Sequence, residues 1–455
     1  MAFHQDASNT HLEEEEKFLP MSALSLLRSL NPDQRNTFLA SFLGWTLDAF
    51  DFFLVTFVVL SIAKDFGQST VAVTLAITIT LLMRPIGALI FGMLAERYGR
   101  RLPLMIDILF YSLMELLTAF SPNFTVFFIL RALFGIGMGG EWGIGASLAM
   151  ESLPSEARGL FSGILQQGYA CGYLLAAIAF SLVFPHFGWR GMFFIGVLPA
   201  LLVLFIRLRV PESPVWQQQH AQRVQTGTSA WQGIATAISK HSMLFVYTIL
   251  LMTAFNFMSH GTQDLYPTFV QKQLHFSVAA TSSISIIANI GAIVGGTIFG
   301  YHSQHWGRRR AIIIAALLGL LMIPLWTGFL TLPGVPLFLT LALGAFLLQF
   351  MVQGAWGVIP VHLNELSPDD VRGTFPGFAY QIGNIAPAFA VTLAAAFAEN
   401  LGTHKAPNYA LAQAILTGIY FIAVIFFTAI GHEAKGREFT ASSEAEPIFT
   451  KGTAD

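Results

Sequence analysis

The sequence predicts an all-α membrane protein whose twelve transmembrane helices form two pseudo-symmetric halves of six. Three observations predict it: a charge-poor apolar composition, twelve apolar runs of bilayer length, and motifs that recur in the same order in the second half. The 455 residues are 54% hydrophobic and 11% charged, with a mean hydropathy of +0.62. A soluble domain carries about 25% charged residues and needs them to stay dispersed. A chain this long with so few charges must face lipid with much of its surface.

A bilayer core is crossed by about 20 apolar residues in helix. Twelve such runs begin near Leu39, Thr70, Leu102, Phe124, Leu160, Met192, Met243, Ala279, Ala311, Pro336, Gly373 and Tyr409. Glycine and proline interrupt several of them, as is ordinary in membrane helices. Residues 1–37 read as a polar N-terminal tail, 38–210 as the first six-helix half and 211–241 as a linker. Residues 242–431 read as the second half and 432–455 as a C-terminal tail. The acidic run Glu13 to Glu16 reads as part of a solvated tail, and the start lacks the features of a secretory signal.

Lysine and arginine set the orientation. Of the 24, eighteen fall in the tails, the linker and the loops of one side. Four fall on the other side (Lys64, Arg190, Lys272 and Lys405), and Arg84 and Arg131 lie inside helices. This bias places both termini in the cytoplasm of a multi-pass plasma-membrane protein, an inner-membrane one if bacterial.

Composition also excludes function classes. A net charge of −2 leaves no basic excess for nucleic acid. One cysteine, Cys171, rules out a disulfide framework and a cysteine metal site. No phosphate loop is present, so ATP does not drive the protein, and no cofactor is expected. The Gly135, Gly139, Gly143 series has helix-packing spacing.

The halves repeat. Gly92 to Arg101 (GMLAERYGRR) returns as Gly300 to Arg309 (GYHSQHWGRR), 208 residues later. Glu151 to Gly159 (ESLPSEARG) returns as Glu365 to Gly373 (ELSPDDVRG), 214 later. Pro211-Glu212 has a looser echo in His432-Glu433, 221 later. Parallel repeats put a solute site between the halves near mid-membrane.

The loop at Gly92–Arg101 and the stretch Arg131 to Glu141 (RALFGIGMGGE) resemble the signature motifs of the major facilitator superfamily. The resemblance covers about residues 38 to 436. Glu96 stands where that family usually has Asp, and Ser303 and Gln304 stand where acids might pair, which implies a weaker second gate. Residues Asn256 to Thr268 (NFMSHGTQDLYPT) resemble the sialate:proton symporter family in its lactate and pyruvate permease branch. That resemblance implies proton-coupled symport of a small monocarboxylate by alternating access, not an enzyme. A sialate or aromatic-acid transporter is the alternative, and a solute receptor that does not transport is the reading from another class. The implied partners are an organic acid anion, a proton and the lipid bilayer, with the chain as a monomer.

Helical spacing puts Asn256, His260 and Asp264 on one polar stripe beside Ser259 and Gln263. Histidine titrates near working pH, so His260 with Asp264 is a proton-responsive pair; a static polar clasp is the alternative. Asp48 and Asp51 lie near the middle of the first span, where charge is costly, and are candidate proton carriers. Arg84, buried in the second span, is a candidate for the substrate carboxylate or for a pair with Asp48 or Asp51. The resemblance assigns Arg131 and Glu141 to coupling. Gln166, Gln167, Tyr169, Tyr173, Gln349, Gln353, Trp356, Tyr380, Gln381 and Asn384 are candidate cavity residues, Gln167 and Gln381 being repeat mates. Gly92, Glu96, Arg100, Arg101, Glu151, Arg158, Arg308 and Arg372 are assigned to an inner gate.

Overall fold

The computed structural model describes residues 22–226, 236, 239–402 and 406–439. The acidic run Glu13 to Glu16, with Lys17, Lys405 and Lys451, lies outside the described residues. Among the described residues the regular elements are helices. Among the described residues, eleven continuous segments are long and apolar enough to cross a membrane. One of them, Arg158–Arg209, has 52 residues. At 1.5 Å per residue it would measure about 78 Å, against a hydrocarbon core of about 30 Å. It is two spans. Gly188, with φ 63° and ψ −165°, breaks the helix there, close after Pro185. That conformation suits glycine alone.

Among the described residues the twelve spans are, in the first half, α1 (Pro32–Asp65), α2 (Thr70–Tyr98), α3 (Arg101–Ala119), α4 (Phe124–Ser152), α5 (158–187) and α6 (189–209). The second half has α7 (Ser242–Gln263, continued by Tyr266–Lys272), α8 (Val278–Trp306) and α9 (Arg308–Trp326). It closes with α10 (Leu337–Trp356, continued by Ile359–Leu366), α11 (Phe375–Ile382 and Ala390–Leu401) and α12 (Tyr409–Ile430). The start expected near Leu39 comes earlier, at Pro32, because a capping box of Asn31 and Gln34 nucleates a polar first turn. Apolarity cannot see that turn.

The halves pack alike. In the first, α4 lies on α2, and Gly135 and Gly139 let the carbonyls of Thr80 and Arg84 approach. In the second, α8 lies on α10 through Gly291 and Gly295 at Phe346 and Phe350. A β-carbon at any of these would fall within 2.3 Å of a backbone oxygen.

The end of the bundle with the loops 97–101 and 306–310 is here termed the basic face, and the opposite end the far face. The halves meet toward the basic face. Gly143 packs on Gly377, Gly163 on the Gly296 carbonyl, and Gly159 on the Gly300 carbonyl. The Ser147 hydroxyl donates to the Arg372 carbonyl at 2.8 Å, and Ser162 to the Gly357 carbonyl at 2.7 Å. The interior is therefore sealed from the basic face and faces the far one.

Candidate functional site

A cavity of about 450 Å³ lies between the halves above this seal. Its walls come from α1, α2, α5, α7, α8 and α10, with Trp326 at the end of α9. The first half contributes mostly aromatic and aliphatic surface: Phe52, Phe53, Ile77, Leu81, Tyr169 and Tyr173. The edge of Phe53 meets Tyr169 and Tyr173 at centroid distances of 5.1 and 4.9 Å. Gln166 and Gln167 also come from this half. The second half contributes Ser259, His260, Gln263, Asp264, Asn289, Gln349 and Gln353.

The polar stripe of α7 divides. His260 and Asp264 reach the cavity, whereas Asn256 is buried below it, donating to the Tyr380 carbonyl at 3.4 Å. His260 Nδ1 lies 2.8 Å from an Asp264 oxygen, and Nε2 lies 3.1 Å from the Asn384 side-chain oxygen. A doubly protonated ring can donate to both. Gln263 donates to Ser259 at 3.2 Å and to Gln349 at 3.3 Å. Gln353 makes no side-chain hydrogen bond among the described residues, which leaves its amide free for a solute.

Tyr380 and Gln381 do not line this cavity. Tyr380 is wedged between Trp142 and Trp356 at 4.7 and 5.7 Å. Trp45 meets Trp142 at 6.4 Å and stacks on Tyr169 at 5.5 Å, so aromatic rings from both halves link the cavity wall to the sealed interior. Gln381 is buried with its amide unpartnered.

The charged core of the first half keeps one of the two expectations for Arg84 and changes that for Arg131. Arg84 lies 3.6 Å from Asp48, both buried, so it is the partner of that acid and not a cation on the cavity wall. Arg131, grouped by resemblance with Glu141, instead pairs with Glu115, and donates to Thr118 at 3.0 Å. Glu141 lies within electrostatic reach of Asp48 and Arg84. Asp107 and Glu115 on α3 escaped the sequence reading. The signal was available: both are acids inside an apolar span, the criterion that singled out Asp48 and Asp51. Five buried carboxyl groups (Asp48, Asp51, Asp107, Glu115 and Glu141) thus share two buried guanidinium groups, Arg84 and Arg131.

At the basic face, Arg100 donates to Glu96 at 2.9 Å and to Glu151 at 3.0 Å, all three fully or nearly buried. The second oxygen of Glu96 accepts from the Gly373 backbone N–H, across the interface of the halves. Gly92 presses on Thr374 in the same interface. The repeat mate of Arg100, Arg308, grips Glu365 at 2.9 and 3.0 Å but has only the neutral Ser303 and Gln304 where Arg100 has Glu96. Arg158 donates to the Arg437 carbonyl at 2.9 Å, and Arg372 pairs with Asp369. Arg101 behaves otherwise: its guanidinium reaches the Arg207 carbonyl and ties α3 to α6 within one half. The looser echo has a shared role. Glu212 accepts from the backbone N–H of Arg100 at 2.7 Å, and Glu433 from that of Arg309 at 3.0 Å, each at the start of a matching helix. The linker helix Pro214–Thr226 spans the seam, Trp216 donating to the Glu96 carbonyl and Gln219 to that of Asp369, both at 2.9 Å.

Comparison with known proteins agrees with this architecture. The profile of the Major Facilitator Superfamily matches residues 40–322 and 249–451. A carboxylic acid transporter protein homolog of Saccharomyces cerevisiae is 31% identical over 444 residues, covering 91% of this chain and 71% of the relative. The sialic acid transporter NanX of Escherichia coli is 27% identical over 421 residues, covering 92% and 99%. The solved structure of the proton:xylose symporter XylE superposes with a TM-score of 0.69 at 21% identity, covering 90% and 98%, a likeness of fold. With paired six-helix halves, a sealed basic face and a cavity between them, the chain belongs to the major facilitator superfamily, a membrane transporter and not an enzyme.

Proposed function

We propose that the chain is a proton-coupled symporter of an organic acid anion, a monocarboxylate such as lactate or pyruvate. One observation carries the reading. Among the cavity-lining side chains, His260 is the one able to hold a positive charge, and its two nitrogens face Asp264 and Asn384. A carboxylate entering a low-dielectric cavity needs a cation. An imidazolium supplies it only after a proton has bound, so anion and proton are linked. The free amide of Gln353 and the hydroxyls of Tyr169 and Tyr173 serve the rest of the solute.

The surplus of buried acids in the first half supports a proton cycle. Two guanidinium groups cannot neutralise five carboxylates in an apolar interior, so some of the acids are at rest as neutral groups. Asp48 and Asp51 are the candidate carriers, and Arg84 lies beside the first of them. With the basic face as the cytoplasmic one, the structure stands in its outward-facing state, and rocking of the halves delivers solute and proton inside.

The alternative substrate is sialate or another larger organic acid. The 450 Å³ cavity and the relative named a sialic acid transporter favour it. In proteoliposomes with an inward proton gradient, labelled lactate should accumulate, competed by pyruvate. Competition by sialate or benzoate alone would move the assignment to the alternative. No flux of any acid with binding intact would overturn symport.

A further inference from the structure

We propose that a cleft at the basic end of α8, α9 and α12 binds the phosphate headgroup of an anionic phospholipid. The cleft, about 440 Å³, is lined by His305, Trp306, Arg309, Arg310, Glu433 and Lys435, with Gly307 and Ile313 between them. It is separate from the solute cavity and from the seam between the halves.

Electrostatics calls for an anion here. The first turn of α9 holds Arg308, Arg309 and Arg310 and no acid. A helix N-terminus already carries partial positive charge, so three cations there repel it and one another. Arg308 is neutralised by Glu365. Glu433 accepts from the backbone of Arg309 and Lys435. The Arg309 guanidinium is turned to the carbonyls of Thr428 and Ala429 at the end of α12. Arg310 is exposed, with no side-chain partner among the described residues. The Lys435 ammonium sits over the His305 carbonyl at 3.4 Å. Three cations against one carboxylate leave the cleft positive.

The repeat supplies an internal control. Shifting by 208 puts Leu102 in the place of Arg310, and shifting by 221 puts Pro214 in the place of Lys435. These two cations are additions of the second half and are not required by the helix 2–3 type of loop.

The surroundings choose a lipid over a soluble anion. Arg310 begins a stripe on α9 that continues through Ile314, Leu317 and Leu321, at 38%, 49% and 67% exposure. On α8 the exposed stripe Ile290, Val294, Ile298 runs down to His302 and Trp306. A phosphate between Arg310 and Lys435 would leave its acyl chains along these stripes, with Trp306 at the interface depth that indoles favour. Basic pockets between helices on the cytoplasmic side are suited to such headgroups.

The full-length chain in detergent is titrated with phosphatidylglycerol or phosphatidylcholine, and bound lipid is counted by native mass spectrometry. Phosphatidylglycerol should bind more tightly. Arg310→Gln and Lys435→Gln should each weaken it about fivefold, while Arg97→Gln on the other half changes nothing. Equal binding of the two lipids, or of phosphatidylglycerol by all variants, overturns the proposal. Displacement of the lipid by millimolar inorganic phosphate also overturns it, in favour of a soluble anion. In the unaltered chain, added salt should weaken phosphatidylglycerol binding selectively, and its failure to do so counts against the cleft independently of any variant.

Discussion

At the scale of single residues, the cavity joins one protonatable ring to an array of amides. His260→Ala should abolish proton-driven accumulation in proteoliposomes, and Asp264→Asn should do the same, because the ring loses its charge or its orientation. Counterflow that survives in Asp48→Asn, with accumulation lost, would mark Asp48 as the coupling acid. Glu115 is a second test. Breaking a buried ion pair strands a charge at about 3–5 kcal/mol. Glu115→Ala should therefore lower the melting temperature sharply, and Glu115→Gln, which keeps a partner for Arg131, less so. His260, Gln263 and Asp264 were legible in the sequence because helical spacing aligns them. Which intramembrane acid meets Arg131 was not. Glu115 lies 16 residues away on another helix, and only the packing of α3 on α4 brings it within reach.

At the scale of elements, breaks and caps decide where spans turn. Gly188 lies in open space, so Gly188→Ala meets no atom but forces a side chain to positive φ. The cost should be about 1–3 kcal/mol, seen as a fall in thermal stability with transport retained. Glu212 caps α3 from the linker. Burial pushes its carboxyl above the ordinary 4.5, against the backbone N–H groups of Ser213, Arg100 and Arg101 that pull it down. A folded value above the unfolded one means that protonation favours the fold. Its contribution is full below about pH 4.5 and is lost as pH rises through the folded value. Glu212→Gln should flatten that slope in melts taken across this range. The echo Pro211-Glu212 with His432-Glu433 looked weak as sequence because two of its residues suffice: each glutamate has only to reach the first N–H groups of its helix.

At the scale of the whole molecule, the two halves are held shut at one end by contacts between small residues and backbone. Ser162 of the first half makes two hydrogen bonds to the second, donating to the Gly357 carbonyl and accepting from the Val361 N–H at 3.0 Å. Ser162→Val leaves these groups unpaired only while the basic face is closed. At about 1–3 kcal/mol for each stranded group, the population should shift at least about fivefold toward the state open at that face. Thr374→Cys, buried at the same seam with a hydroxyl that has no partner, in a Cys171→Ser background would read this as faster maleimide labelling from the basic side. Unchanged labelling would show that this seam does not control access. The asymmetry of the gates belongs to the same scale: Arg100 holds two carboxylates and Arg308 one, so the first half carries more of the charged latch.

The sequence by itself determined the membrane class, the two-fold repeat, and the chemistry gathered on α7. These follow from local facts: apolar length, motif spacing and the period of the helix. Only the tertiary structure decided that Arg84 belongs to Asp48, that Arg131 belongs to Glu115, and that Tyr380 and Gln381 lie beneath the cavity instead of in it. The reason is geometric. A single helix shows which residues share a face, but the burial of a polar group depends on which neighbour that face meets and on which end of the bundle is closed.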